Sequence, residues 1–401
     1  MPDIAPDDEA AWSSLRRQVR LDPSGINFNL GTCSPIAVPV QEELTRLRAE
    51  QASQPSDFCW RKLPVYLDKA RTALSGYLAC PERELALVAN VTIGLNLAVW
   101  SLDLPPGSEI VATDHEYGAM RQLLDHSAAE KGWTVRYAPL PDAIDRPEQL
   151  RDALLEGIGP KTRVLFFCHV TSPSGLVFPA AEICAAARER GVLTVIDGAH
   201  APGMIPVDLG AIGADYYSAN CHKWMNAPLG SAFLHVREEH RAGMKPRITS
   251  WGWEYDAALR DQDSGWGGTF WHRHLEFHGT LDRCAQCALP AVIAHRTAIG
   301  EEAIRARQLW LAGRIRARLS EQGLRPAFGA SVTGALVPFE APAVDTIRAR
   351  NYFWQRFRIE APVTTAAGRY YWRFSAAWFN TCEEIERLAD VASRVPWDEL
   401  K

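Results

Sequence analysis

The sequence predicts an α/β fold in which a large domain with a mainly parallel, seven-stranded sheet is followed by a smaller C-terminal α+β domain. Short apolar segments alternate with helix-like segments from about residue 60 to 240, which is typical of a sheet covered by helices. The stretch 163–170, RVLFFCHV, is continuously apolar, as in a strand that a parallel sheet buries on both faces. After about residue 285 this alternation ends, which indicates a second domain.

The elements follow from the spacing of apolar residues. Strands are predicted at 84–90, 109–114, 134–140, 163–170, 193–199, 214–220 and 230–236, and helices at 63–78, 92–102, 119–131, 147–156 and 180–190. Farther along, one long helix is predicted over 289–322, strands at 334–341 and 370–378, and a last helix over 381–395. We therefore divide the chain into an N-terminal segment (1–26), a large domain (27–285) and a small domain (286–401).

Composition restricts the possible partners. The chain has 401 residues, 47% hydrophobic and 23% charged, which is ordinary for a globular protein. Its formal net charge of −5 gives no reason to expect nucleic acid or an anionic membrane as a partner. No apolar run approaches the roughly 20 residues that span a bilayer, and the first residues lack a signal-peptide pattern. We expect a cytoplasmic protein.

The nine cysteines are scattered, which favours reduced thiols in a cytosol. Cys284 and Cys287 have C-x-x-C spacing, but neither a second pair nor histidines at ligand spacing follow. We interpret them as small apolar residues on a helix and predict no metal site.

Polar residues follow several of the predicted strands, at the edge of the sheet where ligands bind in open α/β folds. They are Thr92, Tyr117, Ser172, Asp197, His200, His222 and Lys223. Lys223 is the only formal charge between Tyr216 and Leu234.

These residue types together suit one ligand. Thr92 at a helix N-terminus provides an anion site, and Tyr117 offers a flat face for stacking. Asp197, in an apolar strand, needs a cationic or proton-donating partner. Lys223 is a potential amine nucleophile. An anion site, a stacking face, an acid for a ring nitrogen and a Schiff-base lysine describe a pyridoxal phosphate site.

The segment 195–234, VIDGAHAPGMIPVDLGAIGADYYSANCHKWMNAPLGSAFL, resembles the cofactor segment of the class V aminotransferase family, in the branch that includes isopenicillin N epimerase. The separation of 223 − 197 = 26 residues between Asp197 and Lys223 matches that family. The resemblance extends from INFNLGTCSP (26–35) to RFSAAWFNT (373–381). It implies the aspartate aminotransferase-like fold and pyridoxal 5'-phosphate as the cofactor.

The resemblance also implies residue roles. Lys223 binds the cofactor covalently and then moves the proton at the substrate Cα, while Asp197 pairs with the ring nitrogen. The other implied cofactor contacts are His200 near the phenolic oxygen, Tyr117 on the ring, Ser172 near a cofactor oxygen, and Thr92, His222 and Asn220 at the phosphate. Arg373 is implied to bind the substrate carboxylate, with Asn29 beside it.

Gly279 and Thr280 match a segment that reaches the phosphate of the neighbouring subunit, so the resemblance implies a homodimer. Where related epimerases read Gly-Thr-Arg-Asp, this chain has Leu281 between Thr280 and Asp282 and lacks the cation. Many relatives also carry Asn-Pro-Thr-Gly where this chain has Ser-Pro-Ser-Gly from Ser172.

Several alternatives stay open. His115 competes with Tyr117 for the stacking position, and Asn29 and Ser172 could instead shape turns. The tryptophan-rich stretch 251–271 could be a packed aromatic cluster, a subunit interface or a lid over a bulky substrate.

The reaction is also open. The resemblance suggests an enzyme of specialised metabolism that acts at the Cα of an amino acid or modified amino acid through a carbanion. Epimerisation, carbon–sulfur β-elimination of an S-conjugated cysteine and transamination are the alternatives. A cysteine desulfurase is disfavoured because no cysteine lies between Cys287 and Cys382. A non-enzymatic cofactor-binding protein is disfavoured because Lys223, Asp197 and Arg373 are all present.

Overall fold

The computed structural model describes residues 4–401 and confirms the predicted α/β architecture. Its twelve strands are β1 (Ile26–Asn27), β2 (Leu85–Val88), β3 (Glu109–Thr113), β4 (Thr134–Ala138), β5 (Thr162–Cys168), β6 (Leu193–Asp197), β7 (Tyr216–Asn220), β8 (Ala232–Val236), β9 (Leu336–Ala341), β10 (Ile359–Glu360), β11 (Val363–Ala366) and β12 (Arg369–Ser375).

The helices alternate with these strands in the first half of the chain. They are α1 (Glu9–Arg16), α2 (Val38–Ser53), α3 (Pro55–Asp57), α4 (Leu63–Leu78), α5 (Val91–Ser101), α6 (Gly118–Lys131), α7 (Pro147–Glu156), α8 (Ala180–Glu189), α9 (Leu209–Ile212), α10 (Phe270–Glu276), α11 (Cys284–Cys287), α12 (Leu289–Ile299), α13 (Glu301–Glu321), α14 (Thr346–Phe357) and α15 (Cys382–Ala392).

The seven predicted strands form one sheet in the order β2-β8-β7-β6-β5-β3-β4. All neighbouring pairs are parallel except the two made by β8, which runs antiparallel to β2 and to β7. Separate clusters of buried apolar side chains cover the two faces of the sheet. Because the parallel strands end at one edge, the residues that follow them meet there.

A second unit surrounds the three-stranded antiparallel sheet β11-β12-β9. Its apolar cluster combines residues of α13, α14 and α15 with Trp12 and Phe28 from the start of the chain. The short strand β1 pairs in parallel with β10 and joins this unit. Neither α14 nor the β10–β11 region was predicted from the sequence. The division at residues 26 and 285 stays a prediction.

The single long helix predicted over 289–322 is wrong. The helix is interrupted at Gly300, where φ is 106°, so α12 and α13 are separate helices. Such a φ lies outside the helical region and favours glycine. The apolar periodicity of the sequence continues past Gly300, although the helix does not. The break allows Glu301 to form an ion pair with the buried Arg296, at 2.6 Å.

All nine cysteines are free thiols. Cys284 and Cys287 lie buried on α11, as predicted for small apolar residues on a helix. Among residues 4–401, no helix combines the length and the apolar character that a membrane span requires.

Candidate active site

Two polar side chains stand where adjacent strands end. Asp197 is the last residue of β6, and Lys223 follows the end of β7 at Asn220. The Nζ atom of Lys223 lies 3.2 Å from Nε2 of His200, which belongs to the loop after Asp197. The Asp197 carboxylate accepts a hydrogen bond of 2.9 Å from the N–H of Ala199. The structure therefore places Lys223, Asp197 and His200 in one site.

Burial controls the charges of this group. It lowers the pKa of Lys223 to about 8, with Asp197 acting in the opposite direction and Arg373 in the same direction. Burial also raises the pKa of Asp197, although the Ala199 N–H and Lys223 oppose that shift. A lysine with so low a pKa offers far more neutral, nucleophilic amine near neutral pH than an ordinary lysine does.

The hydrogen bonds of His200 indicate which of its ring nitrogens carries the proton. Burial holds the pKa of His200 well below its usual value, so the ring is neutral. The indole N–H of Trp224 donates to Nδ1 of His200 over 3.3 Å. The proton of the neutral ring therefore belongs on Nε2, from which it can be donated to the Lys223 amine. Trp224 is fully buried behind this pair.

An anion site lies at the start of α5, beside the end of β7. Asn90 caps the helix by accepting from the N–H of Ile93 at 3.0 Å. The Asn220 Oδ1 accepts from the N–H of Val91 at 2.9 Å and so helps to position the helix, while its contact with the phosphate stays a prediction. The backbone N–H of Thr92 has no hydrogen-bond partner among the described residues. A free N–H at a helix N-terminus favours an anionic group.

His222 follows two residues after Asn220, whose side chain contacts this helix start, and it carries an unsatisfied buried atom. Its ring is 7% exposed, and its Nδ1 has no partner within the described part of the chain. Burial and the nearby Lys223 lower its pKa to about 4, so the ring is neutral. A buried polar atom without a partner is costly, and a bound oxyanion would satisfy it as a hydrogen-bond acceptor.

Arg373, on β12, reaches the same edge from the second unit, and three groups hold its guanidinium. The carbonyl oxygen of Ser172 accepts from Nη1, and the Ser172 hydroxyl lies 3.2 Å from the same atom. The Asn29 Oδ1 accepts from Nη2 at 3.1 Å. A Cβ at Gly31 would overlap Nη2, so a side chain there would displace the guanidinium from this position. Asn29 and Ser172 therefore act on Arg373.

The buried guanidinium of Arg373 is not neutralised by a carboxylate among its hydrogen-bond partners in residues 4–401. Burial is the main reason that its pKa falls to about 10, and the charge of Arg350 adds to the effect. A buried cation held only by neutral acceptors is poised to bind an anion.

Tyr117 and His115 occupy different environments. Tyr117 precedes α6, is 48% exposed and lies near Arg373. His115 is 4% exposed, and its Nδ1 lies 2.7 Å from the Ser174 hydroxyl. The ring of Tyr371 also packs against His115. Tyr117 thus has an open face for stacking, and its role stays a prediction.

Gly279 and Thr280 do not join this cluster within one chain. They line a separate cleft of about 500 Å³ with Trp251, Trp266 and Leu281. Trp251 is 73% exposed and Leu281 is 52% exposed. A surface with this much exposed apolar area is typical of a contact region between proteins.

Sequence reasoning missed three residues of the site. Arg296 donates to the backbone oxygen of Trp224 at 2.8 Å and so supports the turn that carries Lys223. Glu116 lies buried beside Cys168 under the strand ends, where burial raises its pKa to about 7. Cys33 is half-buried and lies near Lys223. Arg296 reaches the site from a distant part of the chain, and no local pattern marks it. Glu116, next to Tyr117, and Cys33, within 26–35, lie in stretches that the sequence analysis singles out, but their residue types alone indicate no role there.

Comparison with known proteins gives the family. The family profile of the class V aminotransferases matches residues 34–388 of this chain. The protein belongs to the class V aminotransferase family. The resemblance stated from the sequence is confirmed, and with it an enzyme that uses pyridoxal phosphate.

Two similar proteins are isopenicillin N epimerases. The protein of Amycolatopsis lactamdurans is 40% identical over 95% of this chain and 98% of its own length. That of Streptomyces clavuligerus is 37% identical over 95% and 98%. Solved structures of the cystine C–S lyase C-DES share the fold, and the complex of C-DES with cysteine persulfide has a TM-score of 0.81. It is 22% identical over 92% of this chain and 98% of that chain.

The residues of this class V site fit pyridoxal phosphate. The start of α5 and the unsatisfied Nδ1 of His222 suit the phosphate group. The buried Asp197 suits a protonated ring nitrogen, and Lys223 offers the amine that binds the aldehyde. A second anion, the substrate carboxylate, suits Arg373.

Proposed function

We propose that this protein is an amino-acid epimerase that inverts the Cα of an amino acid or modified amino acid. The observation that carries the proposal is that the Lys223 amine lies beside His200. The same buried site contains Arg373, whose guanidinium is hydrogen-bonded to neutral acceptors and to no carboxylate among the described residues. Support also comes from the two isopenicillin N epimerases, which are similar along nearly the whole chain.

Each residue has a definite task in the proposed reaction. When bound, pyridoxal phosphate supplies an electron sink for negative charge at Cα. Arg373 binds the substrate carboxylate and fixes the position of Cα. Lys223, once released from the cofactor, takes the Cα proton from one face, and inversion is complete when a proton is returned to the opposite face of Cα. Asp197 keeps the ring nitrogen protonated, which stabilises the negative charge as it develops. Thr92 and His222 hold the phosphate, and Tyr117 covers the ring.

The neutral His200 contributes a proton donor on the same side as Lys223. Its Nε2–H points to the Lys223 amine, so it favours the unprotonated lysine over the ammonium. The groups around Lys223 therefore favour the neutral amine that a base requires.

A carbon–sulfur β-lyase is the second candidate. The fold shared with the cystine C–S lyase C-DES favours it, because the same Lys223 and Arg373 would serve a substrate with a sulfur leaving group on Cβ. An aminotransferase would need the same residues. A desulfurase lacks support: Cys382 begins α15, and its thiol contacts Glu9 at 3.5 Å.

The proposed assembly is a homodimer in which Gly279 and Thr280 reach the phosphate of the partner subunit. The exposed Trp251 and Leu281 beside them support it, because a second copy would cover this apolar surface. A cytoplasmic location is also part of the proposal, and the nine free thiols support it.

Product analysis with the purified enzyme and a panel of L-amino acids in deuterated water tests the proposal. An epimerase yields the D-amino acid with deuterium at Cα, detected by chiral chromatography and mass spectrometry. Pyruvate with a released thiol would instead establish the lyase, and a keto acid that requires a second acceptor would establish the aminotransferase. The absence of Cα exchange with every amino acid would contradict all three reactions.

A further inference from the structure

Asn29 must be oriented in one particular way to hold Arg373. Its Oδ1 faces Nη2 of Arg373 at 3.1 Å. Since a guanidinium has only donors, a reversed amide would place an NH₂ group against another donor. The orientation of Asn29 therefore decides whether this contact attracts or repels.

Glu360 and Thr32 occupy the other end of the amide. The Asn29 Nδ2 donates to the Glu360 Oε1 at 2.9 Å and to the Thr32 hydroxyl at 3.1 Å. Thr32 is exposed, and a hydroxyl can either donate or accept, so it accommodates both orientations. A carboxylate only accepts, so Glu360 distinguishes between the two orientations.

Two features fix Glu360 itself. It lies on β10, which pairs in register with β1, so that Asn27 stands opposite Glu360 two residues before Asn29. Its Oε1 also forms an ion pair with Nη2 of Arg350, at 2.7 Å. The Glu360 side chain is 21% exposed, and the Arg350 side chain is 47% exposed.

We propose that Glu360 is a positioning residue that fixes the Asn29 amide with its oxygen toward Arg373, and so holds the guanidinium ready for the substrate carboxylate. The inference rests on the proposed role of Arg373 as the carboxylate anchor. Glu360 does not contact Arg373; it acts through Asn29, from the strand that joins the start of the chain to the second unit.

Glycine is a suitable probe, because it has no side chain and its affinity depends on its amine and carboxylate. Its dissociation constant is measured by titration calorimetry with the holoenzyme, and its Cα exchange at saturation is measured by NMR in deuterated water. Glu360→Ala is expected to weaken glycine binding about tenfold, because the Asn29 amide is no longer fixed. The rate at saturating glycine should change much less.

Glu360→Gln restores an acceptor for the Asn29 Nδ2 without restoring the charge, so it should recover most of the affinity. Arg350→Ala breaks the ion pair but keeps the acceptor, and it should bind glycine nearly as the wild type does. Glu386→Ala is the matched control, because it removes a Glu–Arg pair, with Arg318, on the distant helix α15.

The outcomes separate the inference from the proposed function. If Arg373→Ala weakens glycine binding but Glu360→Ala does not, Glu360 is not a positioning residue, while Arg373 still binds the carboxylate. If Arg350→Ala weakens binding as much as Glu360→Ala, the ion pair matters and not the amide orientation. If the wild type does not bind glycine, or Arg373→Ala binds it equally well, Arg373 does not bind the substrate carboxylate. The positioning role of Glu360 is then wrong as well.

Discussion

Lys223 and Arg373 are two buried cations that the chain stabilises by different means. Lys223 loses its charge around pH 8, well below an ordinary lysine, because burial lowers its pKa and the neutral His200 donates to its amine. Arg373 cannot give up its proton in the physiological range and is held by neutral acceptors instead. One cation thus becomes a nucleophile and base, whereas the other stays a permanent binding site for an anion.

The pKa of Lys223 predicts how cofactor capture depends on pH. The neutral amine is the reactive form, so the rate at which the cofactor-free protein binds pyridoxal phosphate covalently should rise with pH and level off above about 8. An ordinary lysine would keep accelerating toward pH of about 10.4. Stopped-flow absorption of the bound cofactor measures the rate.

Asp197→Asn is the informative variant for this measurement. Asp197 raises the pKa of Lys223, so its loss should move the midpoint of the pH profile below that of the wild type. A wild-type profile that still rises steeply above pH of about 9.5, as for a free lysine, would contradict the buried, depressed Lys223.

At the scale of elements, the alternation of strands and helices was predictable because most strands of the large sheet are short, apolar and followed by a helix. Lys223 and Asp197 were predictable for a related reason: both follow strand ends, inside one continuous segment with a family pattern. Asn29, Glu360 and Arg296 act across more than 70 residues of chain each, so no local spacing reveals their partners. The break at Gly300 was missed because the apolar periodicity does not report φ.

The Gly300 break predicts opposite effects of the same substitution at two glycines. Gly300→Ala should destabilise the protein by about 1–2 kcal/mol, because alanine is strained at a φ of 106°. Gly313→Ala, within α13 where an added Cβ meets no atom within 4 Å, should stabilise it by up to about 1 kcal/mol. Chemical denaturation of the two variants measures both changes. Equal effects would show that Gly300 does not require its positive φ.

At the scale of the whole molecule, one chain supplies most of the residues of one candidate active site. Lys223, Asp197, Arg373 and the start of α5 meet within one chain, whereas Gly279 and Thr280 lie on a separate apolar cleft. The proposed dimer accounts for both facts, because the cleft of one copy would face the phosphate site of the other. It also gives the exposed tryptophans of 251–271 an interface role.

The shared site predicts complementation between two inactive variants. Thr280→Asp should weaken cofactor binding, because its carboxylate would face the phosphate of the partner subunit and repel it. Lys223→Ala removes the base. Unfolding and refolding the two variants together should restore part of the activity, because a mixed dimer contains one site with an intact Lys223 and an intact Thr280.

Each variant refolded alone is the control for this experiment. Analytical ultracentrifugation should confirm that both variants form dimers. Mixed samples with no more activity than the separate variants, although dimers exchange, would contradict a Thr280 that acts across the subunit boundary.

The site of covalent attachment tests the central claim most directly. The holoenzyme is reduced with borohydride, which makes the link between cofactor and lysine permanent, and is then digested and sequenced by mass spectrometry. The account predicts one modified peptide, with the reduced cofactor on Lys223, and no modified peptide from Lys223→Ala. A cofactor on another lysine, such as Lys245, or no attached cofactor would contradict it.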